Sequence, residues 1–212
     1  MVPRIRMLWH SIPAQLAKEN KKFIYGAIRQ GARAKEYEDA LSWLIDCRLV
    51  YKVNRVTKPG LPLISYEELN AFKLFILDVG LLGAMGDLDV KTLLEGTRIF
   101  EEFKEALTEQ YVLEQFKPQD DIKVAYWSSD TTNNEIDFLI QLANEVIPVE
   151  VKAEENLMAK SLRAYCQKYN PAIAIRTSMS NYRKEDWLVN IPLCAMDELS
   201  DLEYVKVGEN SR

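Results

Sequence analysis

Two apolar segments that each carry charge in their middle constrain this chain more than any other feature. They are Glu135-Ile136-Asp137-Phe138-Leu139-Ile140 and Ile147-Pro148-Val149-Glu150-Val151-Lys152. Both read as strands, at 136–142 and 146–152, with Ala143-Asn144 as the turn between them. Side chains alternate along a strand, so Glu135, Asp137 and Leu139 share one face. Glu150 and Lys152 share a face of the next strand, while Val149 and Val151 take the opposite one. Strands joined by a tight turn are neighbours, which brings Asp137 close to Glu150 and Lys152. Setting these charges among apolar residues is costly unless they are paired or hold a cation. Two readings follow: a metal-capable site, or a buried salt-bridged cluster with Lys152 paired to Asp137 or Glu150.

The flanking sequence supplies further elements. A helix is expected over 99–116, with Phe103, Ala106, Leu107, Gln110, Tyr111 and Leu113 forming a mixed apolar stripe and Pro118 closing it. A strand at 123–127 precedes the charged pair, with Asn133-Asn134 as its turn. A helix over 157–169 and a buried strand over 172–177 follow, and the tail after Tyr204 reads as polar and frayed. Asp78 to Gly86 reads as a turn entering a short buried helix, since its glycine spacing is not that of a nucleotide-binding loop.

The first 60 residues have a different character. They carry 12 Lys/Arg against 5 Asp/Glu, a net of +7, whereas residues 61–212 carry 15 against 27, a net of −12. Such asymmetry suggests two units with different partners, the alternative being ordinary solvated faces. Ser11-Ile12-Pro13 resembles a helix start, with Leu16, Phe23 and Ile24 as its apolar positions. A second helix at 34–47 places Tyr37, Ala40, Leu41 and Leu44 on one face. Residues 49–56 alternate as a strand, 57–60 turn, 61–63 connect, and 72–79 return as a second strand. Helices followed by a two-stranded ribbon are winged-helix-like. Arg33, Lys35, Lys52, Arg55 and Lys58 stand where such a module touches DNA, although similar modules also act as plain protein adaptors.

Bulk composition removes several classes. Cys47, Cys166 and Cys194 are too few and too scattered for a disulfide framework or a zinc site. His10 is the only histidine, which argues against a histidine metal cluster or a Ser-His-Asp triad. The first residues lack the apolar run of a signal peptide, and no apolar stretch approaches a membrane span. A cytoplasmic, non-membrane protein is the expectation.

The chemistry of the charged pair is that of phosphodiester hydrolysis. A hard divalent cation, Mg or Mn, needs carboxylate oxygens, which Asp137 and Glu150 would supply together with the Val151 carbonyl. Lys152 would orient or deprotonate the attacking water and offset charge on the transition state.

Asp137, then twelve residues, then Glu150-Val151-Lys152 resembles the PD-(D/E)XK nuclease motif. The order helix, three strands, helix, strand is that of the restriction-endonuclease-like core. In that superfamily a glutamate on the preceding helix often completes the site, which the resemblance assigns to Glu109. The chain also resembles the C-terminal half of a family of bacterial and archaeal AAA-type ATPases. That resemblance rests on Phe72 to Leu82, Ala106 to Leu113, Tyr126-Trp127, Glu135 to Phe138 and Pro148 to Lys152, together with Pro3 to Leu63. No G-x-x-x-x-G-K-[ST] loop exists in the sequence, so there is no ATP site in this chain, and a truncated or naturally short form is expected. The resemblance implies an α/β (α+β) protein: a winged-helix-like domain at 1–66, then a restriction-endonuclease-like domain with a mixed central sheet at 67–212. The implied function is a Mg-dependent DNA nuclease beside a DNA- or partner-binding module. The alternative is a catalytically inactive nuclease fold that binds a protein partner or a second copy, or regulates the ATPase.

Overall fold

The computed structural model describes residues 1–18, 21–89, 91, 101–153 and 159–201. In chain order the elements are α1 (Val2–Leu16), α2 (Ala34–Asp46), β1 (Val50–Val56), β2 (Glu67–Ile76), α3 (Val79–Met85) and α4 (Glu101–Phe116). There follow β3 (Lys123–Ser128), β4 (Glu135–Leu142), β5 (Glu145–Val151), α5 (Lys160–Tyr169), β6 (Ile175–Ser178), β7 (Arg183–Lys184) and β8 (Val189–Pro192). The strands form one mixed eight-stranded sheet in the order β2-β1-β3-β4-β5-β6-β8-β7. Two compact units divide the chain: Met1–Val53 with Leu69–Tyr111, and Asn54–Glu68 with Val112–Arg212. Compactness therefore divides the chain differently from a single cut after residue 66. No helix among the described residues is long and apolar enough to cross a membrane.

In the first unit, α1 begins at Val2 and runs through Pro13, where the sequence suggested a start. Leu8, Ile12 and Leu16 are buried at four-residue spacing. Each contributes about 1.5–3 kcal/mol of burial, together more than the roughly 3 kcal/mol an interior proline costs. Pro3 takes the first-turn position instead. Phe23 and Ile24, expected on that helix, lie beyond its end: the Phe23 N–H donates to the Phe72 carbonyl at 2.8 Å, and the two rings stack at 5.7 Å. The second helix, α2, follows the sequence reading, with Tyr37, Ala40, Leu41 and Leu44 buried. β2 begins five residues earlier than the expected 72–79 and stops at Ile76. It cannot run on, because the Asp78 side chain accepts from the Leu81 N–H at 2.8 Å and caps α3. Gln110 of α4 closes the end of β2, accepting from the Ile76 N–H at 2.9 Å and donating to its carbonyl at 2.6 Å.

The second unit is a sheet with helices on both faces. β3, β4 and β5 are antiparallel neighbours, while β5–β6, β6–β8 and β1–β3 pair in parallel. α5 covers the face that Leu139 presents, where Leu162 and Tyr165 pack with Ala125, Trp127, Ala174 and Leu188. On the opposite face Phe116 of α4 meets Phe138 edge-on at 5.8 Å. The segment before β2 belongs here: Val56 and Leu63 lie in the core under α5, and the Leu63 N–H donates to Gln141 Oε1 at 2.9 Å. The expected strand at 172–177 sits slightly later, as β6, because Asn170 ends α5 in the left-handed region (φ 46) and the next residues carry the chain back to the sheet. β7 and β8 carry no expectation from sequence, being only 2 and 4 residues long. Leu157, Met158, Ile99, Phe100 and the tail after Tyr204 lie outside the described residues.

Candidate active site

Antiparallel pairing fixes where the charged residues meet. Phe138 pairs with Val149, and one further step of the same register sets Asp137 opposite Glu150. Directly opposed side chains share a face, with Cβ atoms about 4.5–5.5 Å apart. Asp137 is partly buried, and its Oδ2 accepts the Val151 N–H at 2.7 Å. Glu150 is buried on its strand, and its Oε1 lies 2.8 Å from the Lys152 Nζ. Lys152 follows the last residue of β5, and its N–H donates to the Thr177 carbonyl at 2.9 Å, which anchors the backbone to β6. Its side chain is 32% exposed, so the ammonium stands at the rim with the carboxylates behind it.

This donor set fits a magnesium-type ion in kind. Two hard carboxylates converge on one face, and a backbone carbonyl follows at Val151. Among the described residues no group of three or more His, Cys, Asp or Glu side chains is arranged to hold a metal. Magnesium is usually held by one or two carboxylates plus waters and substrate phosphate, so a pair suffices. The ion-paired alternative is equally concrete, because the Lys152–Glu150 contact is a close salt bridge.

Glu109 belongs to the first unit, whereas Asp137, Glu150 and Lys152 belong to the second. Its carboxylate is buried and ion-paired with Lys21, with the fully buried Lys73 ammonium 3.8 Å from its other oxygen. Two lysines thus converge on one glutamate inside that unit.

The basic residues expected to face DNA divide into two sets. Arg33 and Lys35 are exposed at the start of α2. Those on the β1 side are engaged within the protein. Lys52 donates to the Leu69 carbonyl and lies 4.5 Å over the Phe72 ring, and Lys58 lies 4.8 Å over Tyr66. Arg55 is held by Glu68, Asp130 and the Ser128 carbonyl.

The row of polar residues on the α5 face continues past Glu150. Arg176 pairs with Glu150 across β5 and β6, and Asn190 pairs with Arg176 across β6 and β8. Arg176 is only 2% exposed; its Nε donates to Asn190 Oδ1 at 2.9 Å and its Nη2 to Glu185 Oε1 at 3.1 Å. Reading 172–177 as a buried strand passed over this arginine. The signal was there: a cation in an otherwise apolar strand needs a built environment.

Comparison with known proteins gives two domain matches. Residues 1–92 match a domain of unknown function, DUF8612. Residues 104–196 match another, DUF4143, which is often found in the C-terminal regions of AAA-type ATPases. Comparison with curated proteins gives no match.

Proposed function

We infer that the second unit is a metal-dependent phosphodiesterase of the PD-(D/E)XK kind acting on DNA, and that the first is a winged-helix-like module holding DNA or a partner. The observation that carries this reading is the register that opposes Asp137 to Glu150, with Lys152 beside them at the solvent rim. Asp137, Glu150 and the Val151 carbonyl would hold Mg or Mn, which when bound polarises the phosphate and acidifies a water. The residues contribute the rest. The Val151 N–H fixes the Asp137 carboxylate, so its orientation is set before any ligand arrives. Lys152 pairs with Glu150 and presents a cation to the phosphate oxygens where negative charge grows. The β5–β6 bond at the Lys152 amide anchors the backbone that carries this side chain.

A second reading has its own support. The Lys152–Glu150 salt bridge and the exposed Arg33 and Lys35 suit a non-catalytic module that binds a protein partner, a second copy or the ATPase. A nuclease assay separates the two: supercoiled, linear and single-stranded DNA in Mg or Mn, beside Asp137→Ala and Lys152→Ala. The nuclease reading expects metal-dependent cleavage that both substitutions abolish while the circular dichroism spectrum is kept. Absence of cleavage on all three substrates, or cleavage that survives Lys152→Ala, overturns it in favour of the binding module.

A further inference from the structure

A pocket of about 400 Å³ opens beside α5, and its lining is at odds with the charge around it. Lys160 and Arg163 come from the first turn of α5, Arg176 from β6, Arg183 from β7, and Glu185 and Trp187 from the loop before β8. Among the described residues, four cations and one carboxylate line it, a net charge of +3 within a stretch 61–212 whose net charge is −12. Solvated lysines and arginines normally disperse over a surface; here they converge on one concavity.

The geometry is built from the floor upward. Arg176 is buried and cannot swing, because Asn190 and Glu185 fix its guanidinium at 2.9 and 3.1 Å. Asn190 is itself locked: its Oδ1 accepts from Ser178 Oγ, and its Nδ2 donates to the carbonyls of Ser180 and Asn181. Glu185 also lies 3.8 Å from Arg183, so one carboxylate serves two guanidinium groups. Arg163 rests on the Trp187 ring at 5.1 Å, which orients the mouth without neutralising it. A neutral or cationic ligand gains nothing from this arrangement.

We propose that the pocket is a binding site for a terminal phosphate, the dianionic phosphate monoester of a nucleotide or of a nucleic-acid strand end. A monoester carries about −1.5 to −2 charges near neutral pH, and planar guanidinium forks match its oxygens. The volume suits a ligand of mononucleotide size. The inference is independent of cleavage at Asp137, since nothing in the pocket requires a metal.

The test is titration calorimetry on the full chain in EDTA and low salt, with AMP, adenosine, and 5′-phosphorylated and 5′-hydroxyl oligonucleotides as probes. AMP, the phosphorylated oligonucleotide or both should bind saturably, with adenosine and the 5′-hydroxyl strand at least tenfold weaker. AMP binding identifies a free nucleotide as sufficient, and binding of the phosphorylated strand alone identifies a strand end. Lys160 and Arg163 are exposed, so the double variant Lys160→Ala, Arg163→Ala should keep its fold and lose at least tenfold in affinity, whereas Lys123→Ala, an exposed lysine outside the pocket, should not. No saturable binding, equal binding of phosphorylated and unphosphorylated probes, or an unchanged affinity in the double variant overturns the proposal.

Discussion

Asp137 has two tasks that a pair of substitutions can pull apart. Its Oδ2 satisfies the Val151 N–H, and its charge faces Glu150 across the strand pair. Asp137→Asn keeps an acceptor at that position and removes the charge, so its stability should stay within about 1 kcal/mol of the parent. Asp137→Ala strands the Val151 amide and should cost about 1–3 kcal/mol. Urea unfolding of both variants measures the difference, and equal costs would show that the bond contributes little. If the site binds metal, both should lose the thermal shift given by millimolar Mg or Mn, because a ligand stabilises only the state that binds it. That Asp137 and Glu150 lie opposite one another, with Lys152 next along the strand, was legible in the sequence because strand alternation and a short turn are local rules. The pairing of Glu109 with Lys21 was not: the two lie 88 positions apart, and no local pattern announces it.

Elements with strong periodicity were the readable ones. α2 shows its apolar stripe at helical spacing, and β3, β4 and β5 came within one residue of their observed ends. β7 and β8 are short and were invisible, and β2 began early because its polar first half earned no strand reading from pattern alone. Glu67 and Glu68 instead find side-chain partners in Asn54 and Arg55, which the sequence could not show. Turn chemistry was also imperfect, and that gives a prediction. Ala143, exposed in the β4–β5 turn, has φ 52, and Arg48 has φ 57 just after α2. At Arg48 the geometry is that of a Schellman cap: the Leu49 N–H reaches the Leu44 carbonyl and the Arg48 N–H the Ile45 carbonyl. A left-handed residue other than glycine costs about 1–2 kcal/mol, against roughly 0.5–1 kcal/mol for glycine's extra chain entropy. Ala143→Gly and Arg48→Gly should each therefore raise stability, by up to about 1 kcal/mol, seen as a higher urea midpoint. A lowered midpoint for both would mean that the left-handed turns are not formed in solution.

At the scale of the chain, what matters is that sequence order and compactness disagree. Residues 54–68 run from the end of β1 to the start of β2, yet they belong to the unit that carries Asp137 and the basic pocket. Val56 and Leu63 are 0% and 1% exposed in the core beneath α5. Arg55 ties the same segment to Asp130 and the Ser128 carbonyl, and its strand pairs in parallel with Tyr126 and Trp127. Charge changes sign in the sequence after residue 60, and the family resemblance implied a domain boundary after residue 66; burial follows partners far along the chain, which composition does not report. A fragment spanning 67–212 would consequently lack part of its own core. Losing the burial of two such residues removes about 3–6 kcal/mol, a large share of the roughly 5–15 kcal/mol that holds an ordinary domain together. The fragment 54–212 should unfold cooperatively in urea, whereas 67–212 should show a midpoint lowered in proportion, or no folded baseline at all. Coincident midpoints would mean that residues 54–68 are dispensable to the second unit, and that its core is complete without Val56 and Leu63.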